Sequence, residues 1–78
     1  MKQMKATVYL DTSLRREIGQ NRIVIDIRKG TTVKEIIKAF NLIEGEVGLV
    51  IINSKIGNLC SIVEENDSLE LYPVIAGG

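Results

Sequence analysis

The chain has no histidine, no tryptophan and a single cysteine, Cys60. Each scarcity removes a class of chemistry. Without histidine there is no side chain that serves as a general base near neutral pH unperturbed, and no serine–histidine pair. Most transition-metal sites lose their commonest ligand as well. One cysteine cannot close an internal disulfide, nor hold zinc or an iron–sulfur cluster alone. No cation lies within three residues of Cys60 to depress its pKa, so it reads as a buried small apolar residue and not as a relay thiol. No glycine-rich phosphate loop of the GxxxxGK type is present. Three aromatics make a poor stacking platform, and Arg15-Arg16 is a basic spot of two residues, so no nucleic-acid partner is expected. No apolar run is long enough to cross a bilayer, and the opening "MKQMKATVYLD" lacks the apolar core and cleavage site of a secretory signal. The expectation is a cytoplasmic protein that is neither a self-sufficient hydrolase nor a metalloenzyme, with no membrane attachment.

What is present suits one small folded domain. The 78 residues are 45% hydrophobic and 26% charged. A domain of this size buries a modest share of its surface, so its apolar residues must be used efficiently. Net charge is zero but unevenly spread. Residues 1–43 hold nine Lys/Arg against four Asp/Glu, a net +5, whereas residues 44–78 hold only Lys55 against six acids, a net −5. Either the charges mix on solvated faces once the chain folds, or an acidic surface around the C-terminal region steers it toward a basic partner.

Hydrophobic periodicity sets the elements. "KATVYL" at 5–10 alternates, with Ala6, Val8 and Leu10 on one side. "RIVIDI" at 22–27 alternates again through Ile23, Ile25 and Ile27. Between them, Leu14 and Ile18 either tuck a loop onto the core or belong to a short helical turn. "KGTTVKEIIKAFNL" is the clearest local signal. Thr32 and Glu35 have capping-box spacing, and Val33, Ile36, Ile37 and Phe40 form one apolar stripe. A helix over about 33–40 follows, with Asn41 as its stop. "VGLVII" at 47–52 is apolar on both parities and predicts a central strand. "LCSIV" at 59–63 is a weak strand, "EENDS" a polar turn, and "LELY" at 69–72 a last strand with Leu69 and Leu71 inward. Pro73 cannot donate to a ladder and ends that strand near an edge.

Strand, strand, helix, strand, weak strand, strand is the order of an α+β fold. One helix can cover one face of a mixed four- to five-stranded sheet, satisfying the two-layer rule with a single core. This is the β-grasp, or ubiquitin-like, arrangement. A ferredoxin-like fold would need a second amphipathic helix, and no second stripe exists. The domain is expected over residues 1–72, with residues 73–78 as a C-terminal tail.

The stretch "NDSLELYPVIAGG", from Asn66 to Gly78, resembles the ends of the ThiS/MoaD family of ubiquitin-like sulfur carrier proteins. Asn66-Asp67 stands for the turn and Tyr72-Pro73 for the aromatic–proline step of the molybdopterin carriers. Val74-Ile75-Ala76-Gly77-Gly78 looks more like the thiamine carriers. "GTTVKEII" resembles the helix entry in both groups. The resemblance implies a carrier that is not itself a catalyst. A ubiquitin-activating-type adenylyltransferase uses ATP to adenylate the Gly78 carboxylate, and sulfur from a persulfide then gives a thiocarboxylate. A sulfur-accepting synthase, either thiazole synthase or the large subunit of molybdopterin synthase, takes the sulfur.

The tail residues suit that chemistry. Gly77 and Gly78 lack Cβ atoms, so the terminus fits a narrow channel and leaves the acyl carbon open to attack. Pro73 stiffens the base, Val74 and Ile75 fill apolar subsites, and Ala76 leads into the glycines. Six residues reach at most about 20 Å. Tyr72, opposite in parity to Leu69 and Leu71, is the main candidate for a partner-binding patch on the open sheet face, with Val50 or Ile52 beside it. The same features fit a ubiquitin-like modifier joined to target lysines through Gly78, or an interaction domain with an inert tail.

Overall fold

The computed structural model describes residues 4–14 and 21–74. The alternating segments become β1 (Met4–Leu10) and β2 (Arg22–Ile27), paired antiparallel from Met4–Ile27 to Tyr9–Arg22. Their connection opens with a 3-10 turn, Thr12–Leu14, that delivers Leu14 into the core. Ile18 and Arg15-Arg16 lie outside the described residues.

The helix α1 spans Val33–Ala39. Thr32 Oγ1 accepts from the Glu35 N–H, and Glu35 Oε1 accepts from the Thr32 N–H, so the capping box is complete. Such a cap contributes about 1 kcal/mol. Two of the remaining orphan donors are met from outside the helix: Val33 and Lys34 N–H donate to the carbonyls of Ser61 and Leu59. At the other end Phe40 is the C-cap and Asn41 takes φ 59°. Leu42 N–H reaches Ile37 O and Asn41 N–H reaches Lys38 O, which together form a Schellman motif. Val33, Ile36 and Ile37 are buried, and Phe40 packs at the margin of the core.

Three further strands complete one sheet in the order β2-β1-β5-β3-β4. These are β3 (Val47–Ile52), β4 (Lys55–Ile56) and β5 (Ser68–Pro73). β1 and β5 are parallel neighbours, and every other pairing is antiparallel. The sheet is therefore mixed, five-stranded and covered on one face by α1, as the element order implied.

Three expectations need correction. "VGLVII" is not the central strand. β5 lies in the middle, and β3 is second from an edge, flanked by a two-residue strand that pairs only with Ile51 and Ile52. Its double-parity hydrophobicity matches one buried side, at Val50, and one apolar side left open. Residues 59–63 form no strand; Thr32–Ile62 is an isolated bridge. Asn58 is the physical reason. Its Oδ1 accepts from Cys60 N–H at 2.8 Å, while its own N–H donates to Ser61 Oγ at 3.0 Å. That Asx turn bends the chain onto the N-terminus of α1. It also carries Cys60 to the surface, where it is exposed and not buried.

The strand missed by the periodicity, β4, exists because of a two-residue hairpin. Asn53 and Ser54 have φ of 51° and 70°, the left-handed pair of a type I′ turn. The Asn53 side chain ties the hairpin to β5, donating to Asp67 Oδ1 and accepting from Ser68 N–H. Ala6, Val8, Leu10, Leu69, Leu71 and Val63 join the helix stripe in one cluster.

Candidate functional site

The sheet register sorts the strand residues into two faces. Val50 stands beside Leu71 and Ile52 beside Leu69, on the helix side. Val50 is buried and Ile52 packs against the core, so neither belongs to the open face. Their neighbours on the opposite parity take that place. Leu49 pairs with Tyr72, and one row crosses all five strands as Ile56, Ile51, Glu70, Tyr9 and Arg22. Sequence parity within "VGLVII" could not choose between Val50/Ile52 and Leu49/Ile51. The choice follows from pairing with "LELY", whose inward residues are unambiguous.

This open face is apolar along β3 and β4 and mixed along β1 and β2, where Lys5 Nζ pairs with Asp26 Oδ1 at 2.7 Å. Leu49 and Ile56 are exposed, Val24 is exposed beside Thr7, and Tyr9 and Tyr72 flank Glu70. Arg22 Nε donates to Tyr9 Oη at 3.3 Å. A shallow hollow at the end of the sheet is lined by Tyr9, Asp11, Asn21, Asn53, Glu70 and Tyr72, among others. Among the described residues, no group of three or more Cys, Asp or Glu is placed to hold a metal ion, and no helix is long and apolar enough to cross a membrane.

Tyr72 is tied to its own strand on this face. Its hydroxyl donates to Glu70 Oε1. That bond holds the phenol above its ordinary value of 10.0; desolvation and the charges of Glu70 and Asp11 push the same way. The folded state thus retains the Tyr72 proton to higher pH than the unfolded chain does. The stability this contributes is fully present below 10.0 and is lost as pH rises through the folded value. In an absorbance titration, Tyr72→Phe should remove a tyrosinate phase lying above 10.0 and soften the alkaline loss of stability. An unchanged high-pH phase in that variant would contradict the Tyr72–Glu70 assignment.

The last described residues follow directly from β5. Pro73 still belongs to β5 and pairs with Val47. Having no N–H, it cannot extend the ladder, but the next residue does: Val74 N–H donates to Glu46 O at 3.0 Å. Val74 is therefore held at the backbone with its side chain exposed. Glu44 and Glu46, in the 3-10 turn Glu44–Glu46 that leads into β3, put part of the acidic bias beside Val74. Ile75, Ala76, Gly77 and Gly78 lie outside the described residues.

A mixed sheet clasping one helix, with its first and last strands parallel at the centre, is the architecture of the ubiquitin-like β-grasp proteins. Within that class, the chain belongs to the Mut7-C ubiquitin family, whose model matches residues 3–77. Solved structures agree on the fold. Small archaeal modifier protein 1 of Haloferax volcanii superposes with a TM-score of 0.74 at 17% identity, covering 92% of this chain and 99% of that one. A putative molybdopterin converting factor, subunit 1, from Pyrococcus furiosus gives 0.73 at 15% identity, with 92% and 99% covered. Urm1 from Trypanosoma brucei gives 0.68 at 15% identity, with 100% and 99% covered. Comparison of the sequence with curated proteins gives no match. The resemblance to ThiS/MoaD-type β-grasp proteins stands on these findings.

Proposed function

We propose that the protein is a sulfur carrier whose C-terminal glycine is the reacting group. The observation that carries this reading is the run that follows the central strand. β5 passes through Tyr72-Pro73 into Val74, and "IAGG" continues for four residues with no Cβ on the last two. The likeness of the fold to a putative molybdopterin converting factor subunit supports it.

The chemistry divides between carrier and partners. A carboxylate resists nucleophiles through its charge and resonance. Attack of a Gly78 carboxylate oxygen on the α-phosphorus of ATP forms a mixed anhydride and expels pyrophosphate. A persulfide sulfur of a partner then attacks the acyl carbon, and AMP leaves. A second partner thiol cleaves the acyl disulfide, is oxidised to a disulfide in doing so, and leaves Gly78 as a thiocarboxylate. ATP, its metal and any base belong to the ubiquitin-activating-type adenylyltransferase. The open face around Tyr72, Leu49 and Ile56 is the surface that meets such partners. The sulfur goes to a synthase of cofactor biosynthesis, making the thiazole of thiamine or molybdopterin.

A second reading, a modifier joined to target lysines through Gly78, is favoured by the fold's likeness to small archaeal modifier protein 1. One experiment separates both from an inert tail. The protein is incubated with ATP and the adenylating enzyme of its own source, and pyrophosphate release is followed. Carrier-dependent release is expected; no release with an enzyme that is active on another carrier overturns the proposal. Blots of cell extracts then divide carrier from modifier. Ladders of larger conjugates that vanish on deleting Gly77-Gly78 indicate the modifier.

A further inference from the structure

We propose that Gly48 is a positioning residue: its missing side chain lets Val74 seat against β3 and so fixes the point from which residues 75–78 start. The pairing of β3 with β5 steps from Val47–Pro73 to Leu49–Tyr72. Two residues advance on β3 for one on β5, so Gly48 is the extra residue of a β-bulge. Glycine in a strand interior loses packing and backbone entropy, and it persists where another backbone approaches closely. That is the situation at Gly48. A Cβ there would lie 2.6 Å from Val74 Cα, 2.9 Å from Val74 N and 3.0 Å from Pro73 O. All three are backbone atoms, so no side-chain rotation relieves the overlap. The close approach coincides with the Val74–Glu46 hydrogen bond, and the two together hold Val74 on both sides of the bulge.

A seat at Val74 bounds how far from it Gly78 can lie. Residues 75–78 span at most about 14 Å when extended, against about 20 Å if the tail began at Pro73. A partner's reacting centre must then lie within about 14 Å of Val74 while its surface meets the sheet face next to Leu49 and Tyr72. Gly48 sits between those two demands, one residue from Leu49 and in backbone contact with Val74. Losing the seat leaves the acyl carbon intact but makes its placement relative to the docked face variable. A penalty of that kind falls on KM more than on kcat.

This inference rests on the carrier reading for its consequence, but the seat itself is tested without it. Amide hydrogen exchange at Val74 is compared between the full chain, Gly48→Ala and Gly45→Ala. Gly45 is the matched control, since a Cβ there meets nothing within 4 Å. Gly48→Ala should speed Val74 exchange by about tenfold or more, while the Leu69 and Leu71 amides stay within about twofold of the full chain. Equal Val74 exchange in the two alanine variants overturns the seat. With the activating enzyme, Gly48→Ala should raise KM by about tenfold and keep kcat within about twofold. A released Val74 with unchanged KM overturns the positioning role. A wild-type protein that no activating enzyme accepts removes the carrier reading, and the exchange comparison still decides the seat.

Discussion

Leu71→Ala should lower the melting midpoint by about 12–24 °C. Leu71 is fully buried on the middle strand, level with Leu10 on β1 and Val50 on β3. Truncating a buried leucine removes its transfer free energy and leaves a cavity, costing about 2–5 kcal/mol. At about 0.05–0.15 kcal/mol per residue, the whole domain holds about 4–12 kcal/mol. A loss of about 3 kcal/mol is therefore a large share, and each kcal/mol moves the midpoint of a domain this size by about 4–8 °C. Ile56→Ala is the contrast. Ile56 is 81% exposed on the edge strand, and its truncation should change stability by no more than about 0.5 kcal/mol. Thermal denaturation of the two variants checks the two-layer core. Similar midpoints for both would show that β5 is not its centre.

Deleting Gly77-Gly78 should reduce carrier-dependent pyrophosphate release by more than about 100-fold and leave the melting midpoint unchanged. The deletion withdraws the terminal carboxylate by about 7 Å along an extended chain. A misplacement of about 1 Å can already cost about 10²-fold in a positioned reaction. The core cluster lies between Ala6 and Leu71, upstream of the deleted residues, so stability gives an internal control. Gly78→Ala tests the finer point. It keeps the length and sets a methyl beside the acyl carbon, so a selective loss in the sulfur-transfer step is expected. Full activity in the two-residue deletion would mean that the glycines take no part.

The elements most legible in the sequence were those whose signals are local. Thr32 and Glu35 announce the cap of α1 because a capping box is a contact between residues three apart. Ala6-Val8-Leu10 and Leu69-Leu71 announce their buried faces because strand side chains alternate. What stayed hidden depended on partners distant in the chain. "VGLVII" is apolar on both parities, and only its register against "LELY" shows that Val50 faces the helix while Leu49 faces out. "LCSIV" has apolar residues enough for a strand, but the Asn58 side chain diverts its backbone into a turn whose carbonyls serve the helix N-terminus. That turn also explains why Cys60, apolar by type, is exposed.

The candidate site divides in the same way. Tyr72 was legible as outward because its parity opposes Leu69 and Leu71. The importance of Gly48 was not, because "VGLVII" reads as one continuous apolar strand until Val74 is seen lying against it. A glycine inside an apolar run opposite a proline was the available signal, and its meaning needed the pairing of residues 47–49 with 72–74.

The central claim is that Gly78 carries the reacting carboxylate. Its most direct test is the intact mass of the protein after incubation with ATP, its activating enzyme and a persulfide donor, followed by fragmentation of the C-terminal peptide. The expected mass gain is that of one sulfur replacing one oxygen, located at Gly78. An unmodified C-terminal peptide, under conditions that thiolate another carrier, would contradict it.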